Sequence, residues 1–147
     1  MKARVFFLCL LAVALLLSGC DLSHKHYLDE CGICRSCGED FAVRMTDTAE
    51  GGYTATAEPT YGTATVYFTF VADGGDGLLL SLAPAEGVSI LDVALYPAGG
   101  SRMFLFPTGE GNSSFLYDGP IAAEKTYYVA VTLKTAGGVS LSVTPGS

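Results

Sequence analysis

The chain has no tryptophan, two histidines and five cysteines, and every histidine and cysteine falls within its first thirty-seven residues. From Phe41 to Ser147 neither type occurs, so serine–histidine, cysteine–histidine and histidine–metal chemistry have no parts there. Basic residues are scarce as well, eight against fifteen acidic ones, for a net charge of −7. A surface of that sign repels phosphate backbones and anionic headgroups, which argues against nucleic acid and against lipid adhesion through basic patches. Nor does any apolar run reach the roughly 20 residues that a spanning helix needs. Lack of tryptophan, the strongest stacking side chain, weakens a carbohydrate reading without removing it. Asp73, Asp76, Asp92, Glu110 and Asp118 lie near turns and read as solvated loop acids, so no catalytic residue is expected.

What is present decides the compartment. Lys2 and Arg4 precede "VFFLCLLAVALLL", thirteen uncharged residues from Val5 to Leu17, and then the small pair Ser18 and Gly19. A basic start, a short apolar run and a small-residue end make a secretory signal. The box "LSGC", Leu17 to Cys20, resembles the lipobox of bacterial lipoproteins, in which the cysteine receives diacylglycerol before cleavage. This resemblance implies a signal peptide over 1–19, a mature chain starting at lipidated Cys20, and attachment to a membrane of the cell envelope through acyl chains. Two or three chains, at about 0.8 kcal/mol per buried CH₂, hold stably where one would be marginal. Asp21 resembles the signal that retains enteric lipoproteins in the inner membrane, a rule that differs between lineages and leaves the leaflet open. Loss of Lys2 and Arg4 leaves six basic residues against fifteen acidic ones, a net charge of −9.

Cys9 leaves with such a signal and Cys20 is alkylated, so Cys31, Cys34 and Cys37 remain in an oxidising setting. The run "HKHYLDECGICRSC" holds them at C-x-x-C-x-x-C spacing behind His24 and His26. "CRSCG" resembles half of a zinc-ribbon knuckle, but a closed zinc site needs four ligands and the fourth must be His24 or His26. A disulfide among the three cysteines with one odd thiol, a zinc site, and reactive or intermolecular thiols are the readings that stay open. No cofactor is required by the first. Residues 20–40 are polar and without apolar periodicity, and read as a tether carrying a small local knot.

From Phe41 the texture becomes period two, the mark of strands with one buried face. Phe41, Val43 and Met45 alternate in "FAVRM"; Val66, Phe68 and Phe70 oppose Tyr67 and Thr69; Leu78, Leu80 and Leu82 share a face. Tyr127, Val129, Val131 and Leu133 align, as do Val139, Leu141 and Val143. Glycine-rich turns such as "GGDG" and "PAGG" separate the runs. An all-β antiparallel sandwich of seven or eight strands over 41–147 follows, a single domain with no helix after the signal. Among the turns, Asp73 and Asp76 of "ADGGDG" form an oxygen-rich loop that is the best calcium candidate, though it lacks the pattern of an EF-hand loop. Tyr53, Tyr61 and Tyr117, in or beside predicted turns, are the rings available for a sugar or peptide platform, with core or edge packing the default for each.

The order "VYFTFVADGGDGLLLSL", "ILDVALYPAGG" and "AAEKTYYVAVTLKTAGGVSLSV" resembles the bacterial pre-peptidase C-terminal domain family, small jelly-roll sandwiches appended to secreted enzymes and surface proteins. The likeness spans about Ala64 to Thr144 and implies a jelly roll in which Asp92, Tyr96, Gly99, Tyr127 and Tyr128 hold structural positions. Lys125 and Thr126 stand where that family commonly has a glycine. Two functional expectations result. One is a non-catalytic, lipid-anchored envelope module that binds a protein or glycan partner; the alternative is a metal-binding or thiol-redox lipoprotein acting through His24 to Cys37.

Overall fold

The structure is a computed structural model that describes residues 25–59, 64–109, 111–135 and 137–146. Ten strands form two five-stranded sheets: β1 (Val43–Arg44), β2 (Thr46–Asp47), β3 (Tyr53–Ala57), β4 (Thr65–Val71), β5 (Leu78–Pro84), β6 (Ile90–Pro97), β7 (Phe104–Phe106), β8 (Ser114–Tyr117), β9 (Thr126–Leu133) and β10 (Val139–Pro145). One sheet runs β1-β4-β9-β6-β7 and the other β2-β3-β10-β5-β8. From β3 to β10 the order 4-9-6-7 faces 3-10-5-8, which is the strand order of an eight-stranded jelly roll. The two additional strands are two-residue edges.

Those edges correct the reading of "FAVRM" as one alternating strand. Val43–Arg44 pairs in parallel with β4, whereas Thr46–Asp47 pairs antiparallel with β3 in the opposite sheet. The chain therefore changes sheets at Met45, which is buried, while Val43 is exposed. A single apolar anchor at the crossing, not a period-two face, is what this segment supplies.

The other alternating runs hold the core as expected. Val66, Phe68, Phe70, Leu78, Leu80, Leu82, Val129, Val131, Leu133, Val139, Leu141 and Val143 are all buried in one cluster between the sheets. At one margin Phe106 meets Phe115 and Phe104 meets Tyr117 edge-on, closing β7 against β8. Near the opposite edges Tyr53, Phe70 and Tyr127 lie in a row. Tyr53 and Tyr127 bury their rings because each hydroxyl has a partner. The Tyr53 hydroxyl donates to Asp73 Oδ2 at 3.0 Å, and the Tyr127 hydroxyl accepts from the Ala122 amide at 2.9 Å.

At the entry to β9, Glu124 takes a φ of 59°. Its amide donates to the Ala72 carbonyl and the Ala72 amide donates to the Lys125 carbonyl. The left-handed turn is thus made at a residue with a side chain, which carries the strain.

Candidate functional site

Residues 25–40 are folded and rest on the outer face of the β4-β9-β6 sheet. The Asp29 carboxylate accepts from the Cys31 and Ile33 amides at 2.8 and 3.0 Å, bending the chain back on itself. Bridges Leu28↔Cys34 and Ile33↔Asp40 complete a miniature ladder. Gly32, at φ of 84°, lies so close to the sheet that a Cβ there would stand 2.6 Å from Tyr67 Cγ. The Gly32 carbonyl accepts from the Phe41 amide, and Asp40 Oδ2 accepts from the Tyr128 hydroxyl at 3.1 Å. Only glycine lets the loop sit this close to the ring.

Within the loop the cysteines differ. Cys31 and Cys34 are thiols and buried. Burial pushes the Cys31 thiol from 9.0 up to about 11, helped by the charges of Asp29, Glu30 and Asp40. Cys31 also lies near enough to Tyr67, Tyr96 and Tyr128 to raise each phenol slightly, on top of the larger effect of their own burial. It faces the sheet. Cys34 and Cys37 gather beside His26: the His26 nitrogen and the two sulfurs lie within 4.8 Å of one another. His26 Nδ1 is 3.8 Å from Cys37 Sγ, and the imidazole packs edge-on against Phe41 at 4.8 Å between ring centres. Gly38 at φ of 75° closes the turn, its amide donating to the Cys34 carbonyl at 2.7 Å. Cys37 is disulfide-bonded.

Of the other sequence candidates, Cys20 and His24 lie outside the described residues, as does Tyr61. Asp73 is occupied by the Tyr53 hydroxyl, and its own amide donates back to that hydroxyl at 3.2 Å. Among the described residues, Asp73 and Asp76 do not belong to a group of three metal donors, whereas His26, Cys34 and Cys37 do. Tyr53 belongs to the core and Tyr117 packs against it, so the platform sought at these two rings is not there.

A different platform lies beside the cysteine loop. Cross-strand register puts Tyr67, Ala130, Ala94 and Leu105 in one row across β4, β9, β6 and β7. The next rows are Thr65, Thr132 and Asp92 on one side and Tyr128 with Tyr96 on the other. Two adjacent alanines between larger side chains leave a trough of about 270 Å³, with Arg102 and Glu30 on its rim. The Tyr96 phenol is raised chiefly by burial, with Arg102 opposing that rise. A larger cleft of about 620 Å³ at the end of the sandwich is lined by loops around Val88, Ile90, Thr108 and Lys134 and offers no aromatic ring. The trough therefore combines two rings and Asp92 on strands with Glu30 and Arg102 supplied by loops. Reading the sequence did not find it, because only the pairing of β6 with β9 brings Ala94 beside Ala130.

No described protein family and no curated protein matches the chain. Among solved structures, the pre-peptidase C-terminal domain of a collagenase from Bacillus anthracis is similar at 14% identity and a TM-score of 0.46, covering 70% of this chain and 92% of that one. A periplasmic inhibitor of g-type lysozyme from Aeromonas hydrophila is similar at 16% identity and a TM-score of 0.45, over 70% and 94%.

Proposed function

We propose that this protein is a non-catalytic, lipid-anchored module of the bacterial cell envelope, facing the periplasm or exterior, whose sandwich holds a protein or glycan partner in the trough. The observation that carries this reading is the two-alanine floor, Ala94 beside Ala130, between Tyr67 and Leu105 and bounded by Tyr96, Asp92 and Arg102. Small residues between flat amphipathic rings leave a slot for a planar sugar face or an extended peptide, and the charged rim supplies orientation. The absence of histidine and cysteine from 41–147 supports recognition over chemistry.

With no tryptophan in the chain, tyrosine emission can be followed, and two of the eight tyrosines, Tyr67 and Tyr96, line the trough. Titration with soluble peptidoglycan fragments, and separately with extended peptides, is expected to perturb it. Tyr96→Ala or Arg102→Ala should weaken binding by about 2 kcal/mol, near thirtyfold, if they anchor the ligand. Equal affinity in both variants and the parent would remove the trough from the reading. The anchor is tested by Cys20→Ala, which should leave unprocessed precursor or released protein; a variant still cleaved and retained in the detergent phase would end the lipoprotein reading.

A further inference from the structure

We propose that the trough takes one uncharged pyranose ring of a glycan, in preference to an extended peptide or an acidic sugar, a ligand class that rests on the reading of the trough as the binding site. Ala130 pairs with Tyr67 on one side and Ala94 on the other, and Ala94 pairs in turn with Leu105. Strands lie about 4.8 Å apart, so the Tyr67 and Leu105 backbones stand roughly 14 Å apart across the floor. Along β6, Asp92 and Tyr96 lie two residues to either side of Ala94, about 7 Å each way. The floor is bounded in both directions, which suits a ring better than a running chain.

Strands β9 and β6 are interior to their sheet, and both alanines have a ladder neighbour on each side. Their amides and carbonyls point along the sheet to those neighbours. A peptide laid on the floor finds no strand edge to extend and must desolvate its own backbone against side chains alone. A sugar carries no such backbone. Its C–H face meets the two alanines and Leu105, while the hydroxyls at its edge meet the polar groups around them. At one end the Thr65 and Thr132 hydroxyl oxygens stand 3.3 Å apart, in the row that Asp92 completes. At the other end the Arg102 guanidinium hydrogen-bonds the Tyr96 phenol. An ionised carboxylate only accepts and a guanidinium only donates, whereas a sugar hydroxyl does both, so one ring can serve both ends.

Charge separates neutral from acidic sugars. Two carboxylates, Asp92 and Glu30, line the trough with one guanidinium, Arg102, and the chain as a whole carries −7. Arg35 lies 3.8 Å from Glu30, but the two side chains are 64% and 65% exposed, so this pair offsets little of the Glu30 field. A uronate enters against that field. A neutral ring meets the same groups as hydrogen-bond partners only.

The test uses the full chain in a detergent without a sugar headgroup. Tetramers of β-1,4-linked N-acetylglucosamine and glucose are the neutral probes, a galacturonate tetramer is the acidic one, and one acidic and one basic extended decapeptide represent the peptides. Calorimetry and saturation-transfer NMR report binding. At least one neutral tetramer should bind, about threefold or more tighter than galacturonate, with affinity changing less than about twofold between about 50 and about 300 mM salt. Ala94→Val, which raises the floor, should weaken it about tenfold or more, and Asp92→Asn about threefold to tenfold. Thermal melting checks the β-fold of each variant. Should Ala94→Val fail there, Leu105→Ala on the edge strand β7 removes a wall instead and should weaken the neutral tetramer about threefold. A decapeptide that binds as tightly as the better neutral tetramer, and is lost in Ala94→Val or Leu105→Ala, overturns the sugar and leaves the trough as the site. Galacturonate bound as tightly as the neutral tetramers overturns the uncharged ring and again spares the trough. Neutral binding unmoved by all three substitutions, or no binding of any probe, removes the trough and the sugar together.

Discussion

Replacing Gly32 by alanine should peel the cysteine loop from the sandwich without unfolding the sandwich. The added Cβ would lie 2.6 Å from Tyr67 Cγ and 3.0 Å from Tyr67 Cβ, at a φ of 84°. Left-handed strain alone costs about 1–2 kcal/mol for a residue with a side chain. The clash adds to it, because Tyr67 is contacted at its root and cannot swing aside: β4 is held by β1 on one side and by β9 on the other. The loop must move instead, giving up the Phe41-to-Gly32 hydrogen bond and the cover over Cys31. The core cluster contains no residue of 25–40, so it keeps its packing. Cys31 is the reporter. Its thiol stands at about 11 when docked and returns toward 9.0 when exposed, which at pH 8 multiplies the thiolate fraction roughly a hundredfold. Alkylation of Cys31 by iodoacetamide, followed by peptide mass analysis, should therefore accelerate by about that factor or more in Gly32→Ala, with the main melting transition of the β-fold nearly unchanged. Alkylation as slow as in the parent would mean that Gly32 does not set the docking. A collapsed main transition would mean that the loop belongs to the core.

Leu80, fully buried between the sheets, should cost about 2–5 kcal/mol when changed to alanine, read from the urea midpoint; a loss under 1 kcal/mol would contradict the single packed core. Glu124→Gly should stabilise by about 0.5–1 kcal/mol, since it relieves about 1–2 kcal/mol of left-handed strain and returns about 0.5–1 kcal/mol in chain entropy; lower stability would show that the Glu124 side chain contributes more than its backbone costs. Alkaline pH should weaken the fold. Cys31 titrates at about 11 when folded against 9.0, so the unfolded chain loses this proton first and stability falls as pH rises from about 9 to about 11; Tyr53, Tyr67, Tyr96 and Tyr128, all raised first by burial, push the same way at higher pH. A melting temperature that rises across that window would refute the burial of these groups.

The period-two runs determined most of the sandwich before any coordinates, because a strand with one dry face must alternate. Leu78, Leu80 and Leu82, or Val139, Leu141 and Val143, have no other way to leave water together. Short segments escaped that logic. "FAVRM" has alternation enough for one strand, yet its backbone serves two sheets in turn, and only competition for the β4 and β3 edges decides where it breaks. The cysteine spacing was equally legible as chemistry and silent as geometry: of three evenly spaced sulfurs, those of Cys34 and Cys37 gather beside His26 and that of Cys31 does not. The trough belongs wholly to tertiary structure. Ala94 and Ala130 are 36 residues apart and unremarkable singly, and they make a floor only because β6 and β9 pair in the register that sets them side by side. Composition and alternation act along the chain, where sequence can be read directly. Register, docking and donor convergence depend on free energies between distant segments, which no local pattern encodes.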